Sequence, residues 1–195
     1  MTQIKSTFDI YEYLDCIDKS ELPRLNINGV KIPIVQSLVK YDTIIHLNIS
    51  ECGIKRIIEL PPFLIDLDCR YNKLSYLPKL PDTMEKLDVC DNQLLSLPHL
   101  PPNIKYIWCN HNKITHICNL PEKLEFLDCN YNRIQTIDSF PDSLKHIGCN
   151  YNFVKELPPL PKDIETAYFN CNKLKDIPDF PNRLLLLDED DITLM

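Results

Sequence analysis

The apolar positions of this chain follow neither a helical period of 3.6 nor one long alternation of two; they recur every twenty residues. One column runs Leu64, Met84, Ile104, Leu124, Leu144, Ile164 and Leu184, and the next Leu67, Leu87, Ile107, Leu127, Ile147, Ala167 and Leu187. Two more keep the same phase: Leu74, Leu94, Ile114, Ile134, Val154 and Leu174, then Leu77, Leu97, Ile117, Ile137, Leu157 and Ile177. Pro recurs at 61, 81, 101, 121, 141, 161 and 181, and Asn at 72, 92, 112, 132, 152 and 172. So many columns in one register require a repeated structural unit. Inside the unit, residues 126–130 alternate: Leu127 and Cys129 point one way, Phe126, Asp128 and Asn130 the other. That is the signature of a short strand, which is too small to stand alone. Stacked coils would pair such strands into a parallel sheet with neighbours about 4.8 Å apart, so seven coils predict a curved rod about 30–35 Å long.

Two polar columns have predictable roles. The turn out of each strand leaves backbone groups facing the interior, and a stacked Asn amide offers both donors and acceptors to them. The return limb carries Leu77-Pro78-Lys79-Leu80-Pro81, repeated as Leu97-Pro98-His99-Leu100-Pro101 and Leu157-Pro158-Pro159-Leu160-Pro161. Pro fixes φ near −65° and biases its predecessor to extended backbone, so the convex side is predicted to be extended or polyproline-like, without a long helix.

Residues 121–140 display the whole unit: Leu124-x-x-Leu127-x-Cys129-x-x-Asn132-x-Ile134-x-x-Ile137. This matches the leucine-rich repeat pattern. The expected fold is a leucine-rich repeat solenoid, an α/β-class horseshoe with a parallel concave β-sheet. Its organisation is an N-terminal cap over 1–40 and a solenoid over 41–195. The solenoid divides into a degenerate coil (41–60), six regular units (61–180) and a partial unit (181–195). In the degenerate coil Ile44, Leu47, Ile49, Cys52, Ile54 and Ile57 fall on the same columns, with Cys52 in the Asn place. In the partial unit Glu189 falls on an interior column and Ile192 replaces the Asn.

The short unit resembles the repeats of secreted bacterial effectors of the invasion plasmid antigen H and Yersinia outer protein M types. It also looks like the repeat proteins of giant viruses, given the many Ile, Lys, Asn and Tyr beside a single Ala, Ala167. The resemblance implies a rod that holds host proteins, in a viral or effector setting. Some of those effectors carry a ubiquitin-ligase domain with a catalytic Cys. This sequence reaches Met195 just past its last coil, and nothing in it matches that domain. It also carries Cys at 69, 109, 129 and 149, where those effectors usually have Val.

Composition narrows the function. The formal charge is −7, a poor match to nucleic acid or an anionic membrane, and no apolar run reaches the roughly 18 residues of a membrane-spanning helix. The first residues lack the apolar stretch of a signal peptide, so the nine Cys are expected to be reduced thiols in a cytoplasm, the host cell's included. The interior Cys column reads as small apolar filler. No C-x-x-C is present, so no metal and no cofactor are expected. G-x-S-x-G, H-E-x-x-H and phosphate-cradling Gly loops are also missing, so the chain reads as a non-enzyme. Asp66, Asp68, Asp88 and Asp91 read as a solvated acidic patch able to steer a partner.

The ends have their own signals. Phe8, Tyr11, Leu14 and Ile17 recur every three residues, predicting a helix over 7–20 capped by Ser6 or Thr7. Asn28-Gly29 between Leu25-x-Ile27 and Val30-x-Ile32 predicts a hairpin. Together they predict a helical and hairpin cap on the solenoid. The acidic stretch Asp188-Glu189-Asp190-Asp191 would blunt the last strand edge. A monomer is expected, with an edge-to-edge dimer as the alternative.

The candidate protein-binding face is the concave sheet. Outward positions put Tyr106, Trp108, His111, Phe126, Asp128, Tyr131, His146, Tyr151 and Tyr168 there. Aromatic rings are enriched where interfaces are strongest, and Trp108, the single Trp, lies centrally as the expected anchor. Stacking along the sheet is the competing reason for these rings. The expected function is therefore a protein-interaction scaffold. Substrate recognition for a ubiquitin ligase and a packaging role in a viral particle stand as alternatives.

Overall fold

The computed structural model describes residues 10–16 and 23–175. The unit from Pro181, the acidic run 188–191, Phe8, Ile17 and the cap residues Ser6 and Thr7 lie outside them.

Eight strands, at Arg24–Asn26, His46–Asn48, Asp66–Asp68, Lys86–Asp88, Tyr106–Trp108, Phe126–Asp128, His146–Gly148 and Thr166–Tyr168, form one parallel sheet in sequence order. From His46 onward each strand aligns with the next at a shift of twenty, as Leu67 with Leu87 and Ile107 with Leu127. The middle residue of every strand is buried and its neighbours face out. The interior columns behind the sheet are sealed: Leu64, Leu74, Leu94, Ile104, Ile114, Leu124 and Ile134 have no exposed surface. Burial of each such side chain contributes on the order of 1.5–3 kcal/mol, which is what holds one coil to the next.

Backbone chemistry sets the corners. Each periodic Pro from Pro61 to Pro161 opens a β-turn into the following strand: the carbonyl of Pro81 accepts from Met84 N–H at 3.1 Å, and that of Pro121 from Leu124 N–H at 3.0 Å. The strand then leaves through a left-handed residue. Glu51, Tyr71, Asp91, His111, Tyr131, Tyr151 and Cys171 all have φ between 53° and 58°. These are not glycines, so the bonds around them must hold the conformation.

The Asn column supplies those bonds. Asn132 Oδ1 accepts the N–H of Ile114 on the preceding coil at 3.0 Å. Its Nδ2 donates to the carbonyls of Cys109 (2.9 Å), Cys129 (3.1 Å) and Asn130 (3.2 Å). Asn72, Asn92, Asn112, Asn152 and Asn172 repeat this pattern at the same offsets. Each amide thus ties its own coil to the one before.

The convex side is extended and carries two short parallel pairings, at Ile34–Ser37 with Arg56–Glu59 and His116–Ile117 with Thr136–Ile137. They occur where the Leu-Pro step is missing. Ile58, Cys118 and Asp138 stand where other coils have Pro78, Pro98 and Pro158. Pro has no N–H to give, whereas Asp138 N–H donates to the carbonyl of Ile117 at 3.0 Å.

At the N-terminus the helix is present at Ile10–Cys16, with Leu14 fully buried. Asp15 accepts from Lys40 and from the Tyr41 hydroxyl, both at 2.8 Å. The hairpin expected at Asn28-Gly29 does not form. Leu25 aligns with Leu47, and Ile27 N–H donates to the carbonyl of Asn48 at 2.9 Å, so this segment is one more parallel coil. Gly29, at φ 75°, turns the chain around the rod and donates to the carbonyl of Ser50 at 3.0 Å. That partner lies on the next coil, so the Asn-Gly step makes a solenoid corner in place of a reversal. The spacing of 22 from Leu25 to Leu47 breaks the twenty-residue phase and hides this coil in the sequence.

Candidate functional site: an aromatic strip and a stacked rim

The first and third residues of each strand project from the concave face, because the middle one is buried. The central strands therefore bring Tyr106, Trp108, Phe126 and His146 together. Tyr106 and Trp108 flank the buried Ile107 with ring centroids 6.1 Å apart. Trp108 meets Phe126 at 5.3 Å, and Phe126 meets His146 at 6.0 Å, both tilted. Lys86 Nζ sits 5.8 Å from the Tyr106 centroid. His146 is oriented from the far side, its Nδ1 hydrogen-bonded to Thr166 Oγ1 at 2.9 Å and its Nε2 3.6 Å from Glu165 Oε2. Lys86, Tyr106, Trp108, Phe126 and His146 line a hollow of about 420 Å³. Trp108 also borders a polar hollow with Arg70, Asp88 and Asn110, and a third reaching to Arg24, His46 and Asp66. Three depressions in the concave surface thus meet at one indole. Tyr168 lies at the third position of the last described strand.

His111, Tyr131 and Tyr151 are not on the strands. They occupy the left-handed corner, so their rings stand on the rim beside the sheet. There they stack face to face: His111 on Tyr131 at 4.5 Å and 8°, Tyr131 on Tyr151 at 4.4 Å and 9°. A hydrogen bond to Cys171 raises the Tyr151 phenol pKa. Asp91 shares this corner column. The nine expected residues therefore divide into a strand-face strip and a rim ladder.

The acidic end is more compensated than the sequence implies. Arg70 lies 3.3 Å from Asp68 and 3.7 Å from Asp88, and His46 lies 3.5 Å from Asp66. Burial raises the Asp68 pKa, against the opposing pull of Arg70. Asp128 is engaged differently: its Oδ2 accepts from Asn110 Nδ2 at 2.7 Å and its Oδ1 from Asn130 Nδ2 at 2.5 Å. Here the sequence reading missed a second Asn ladder. Asn110, Asn130 and Asn150 each accept, through Oδ1, the N–H of the Asn twenty residues on, at 2.6–2.8 Å. The signal was visible in the run of Asn at 110, 130, 150 and 170. Gly148 makes room for this network, since a Cβ there would lie 2.6 Å from Asp128 Oδ1.

The nine cysteines are free thiols. Burial raises the pKa of Cys69 and Cys109 well above the ordinary thiol value, and a hydrogen bond to Cys149 together with burial does so for Cys129. Among the described residues no helix is long and apolar enough to cross a membrane.

Solved structures with this architecture include the leucine-rich repeat domain of a Shigella effector, 31% identical over 69% of this chain, with a TM-score of 0.66. YopM from Yersinia pestis matches at 24% identity over 82% of this chain (TM-score 0.69), and YopM from Yersinia enterocolitica at 22% over 85% (TM-score 0.64). The chain spans 61%, 51% and 46% of those three chains respectively. No protein-family profile and no curated protein sequence matches it.

Proposed function

We propose that this chain, a leucine-rich repeat solenoid with repeats like those of YopM and the Shigella effector domain, is a noncatalytic scaffold that holds a partner protein on its concave face. The observation that carries the proposal is Trp108 at the junction of three hollows, within a strip of rings that the sheet leaves half-exposed. Aromatic surface in water is unfavourable, and rings of this kind dominate binding energy where a partner covers them. The partner inserts an apolar side chain into the hollow of Lys86, Tyr106, Trp108, Phe126 and His146. Its flanks meet Asp128 and Tyr168 on the sheet and the His111, Tyr131 and Tyr151 ladder on the rim. The compensated acidic end adds little net attraction, so apolar contact and shape govern affinity. In this reading the partner is met in a host cytoplasm, where thiols stay reduced. Residues 1–40 act in this reading as the cover of the solenoid end.

The test is affinity capture with wild-type protein and a Trp108→Ala, Tyr131→Ala double variant. Loss of the captured partner supports the reading. Equal recovery of the same partner by both proteins removes the concave strip from it.

A further inference from the structure

We propose that His116, Cys118 and Asp138 form a binding site for a zinc-class divalent cation on the convex side of the rod. Among the described residues this is the one group of three or more His, Cys, Asp or Glu side chains whose ligand atoms converge; they lie within 4.8 Å of one another.

The site arises from the repeat itself. Two successive coils lack the convex Pro, and Cys118 and Asp138 stand in its place. Without Pro the coils pair as parallel strands, with His116 aligned to Thr136 and Ile117 to Ile137. Ile117 is buried, so alternation turns His116 and Cys118 outward on the same side. The twenty-residue register then sets Asp138 beside Cys118 and Thr136 beside His116. No C-x-x-C spacing is needed, because the ligands meet across coils.

The geometry suits a tetrahedral ion. With metal–ligand bonds of about 2.0–2.3 Å, neighbouring ligand atoms in a tetrahedron stand roughly 3.3–3.8 Å apart. His116 Nε2 and Asp138 Oδ1 are 3.4 Å apart, which is long for a charge-assisted hydrogen bond. His116 Nδ1 is hydrogen-bonded to Thr136 Oγ1. With the proton on Nδ1, that bond fixes the ring and leaves Nε2 free to ligate, the outer-shell arrangement that metal-bound imidazoles use. One thiolate, one imidazole and one carboxylate form a borderline-soft set that favours zinc over magnesium or calcium. His116 and Cys118 border a cleft of about 260 Å³, from which water takes the fourth position.

The experiment is titration of the full reduced chain with Zn²⁺ against a chromogenic chelator, and with Co²⁺ followed by absorption. One equivalent is expected to bind in the micromolar range, with a thiolate-to-cobalt charge-transfer band. Cys118→Ser abolishes the band, Asp138→Asn and His116→Gln weaken zinc binding roughly tenfold or more, and Thr136→Ala weakens it about 10–100-fold. A Cys16→Ser, Cys171→Ser variant, which removes the other exposed thiols, binds as wild type does. Far-ultraviolet circular dichroism confirms that each variant is folded. As an independent readout, zinc protects Cys118 from alkylation in peptide-resolved mass spectrometry. No saturable binding by the wild type, or binding unchanged by Cys118→Ser, overturns the proposal and leaves His116 and Asp138 as a plain ion pair.

Discussion

Replacing Asn132 by Ala removes one rung of the interior amide ladder, and the hydrogen bonds set the size of the effect. Asn132 is 7% exposed and makes four bonds to backbone groups. Three of its partners are carbonyls with a second donor: Cys109 O keeps Asn112 Nδ2, Cys129 O keeps Asn152 Nδ2, and Asn130 O keeps the N–H of His111. Only the Ile114 N–H is orphaned outright. A buried unsatisfied donor costs about 1–3 kcal/mol and the weakened carbonyls add a fraction each, so the loss is about 2–3 kcal/mol. Urea unfolding followed by circular dichroism measures it, provided the slope with denaturant matches wild type. Amide exchange at Ile114 gives a local reading of the same event. Asn132→Asp is expected to be worse at neutral pH, because a buried carboxylate would face three carbonyl oxygens. A urea midpoint unchanged in Asn132→Ala would refute the ladder as a source of stability.

Two other perturbations test the interior and the concave surface. Unfolded thiols ionise near their ordinary pKa of 9.0, whereas Cys69, Cys109 and Cys129 keep their protons in the rod to higher pH. The native state then binds more protons, so this contribution is complete below about pH 9 and declines as pH rises above it. Changing these three to Val, which Val89 shows the column accepts in full burial, should flatten the alkaline fall of the urea midpoint; an identical fall in the variant counts against the argument. Gly148→Ala should cost about 1 kcal/mol, because its Cβ would push Asp128 away from Asn130 and Asn110; an unaltered midpoint would show that the carboxylate swings aside freely.

The repeat made most of the molecule readable, because a fixed period converts one correct unit into a complete register. The Leu and Ile columns needed only the phase, and the interior Asn needed only the rule that buried backbone groups find partners. What escaped the sequence lies where the period breaks or where local signals compete. Asn28-Gly29 is a hairpin signal taken alone, and only the Ser50 carbonyl on the next coil turns it into a corner. His111, Tyr131 and Tyr151 read as part of the concave face, but the left-handed backbone at their positions carries them to the rim. The convex His116, Cys118 and Asp138 stayed hidden because their proximity is a product of pairing between coils, which no linear spacing rule reports.

Each interior amide bridges only adjacent coils, so tension applied at the two ends has no long tether to share it. Drawn out in an optical trap, such a molecule would give way as a row of similar small ruptures. Each would release one twenty-residue loop, about 65 Å of contour, until its neighbour yields in turn.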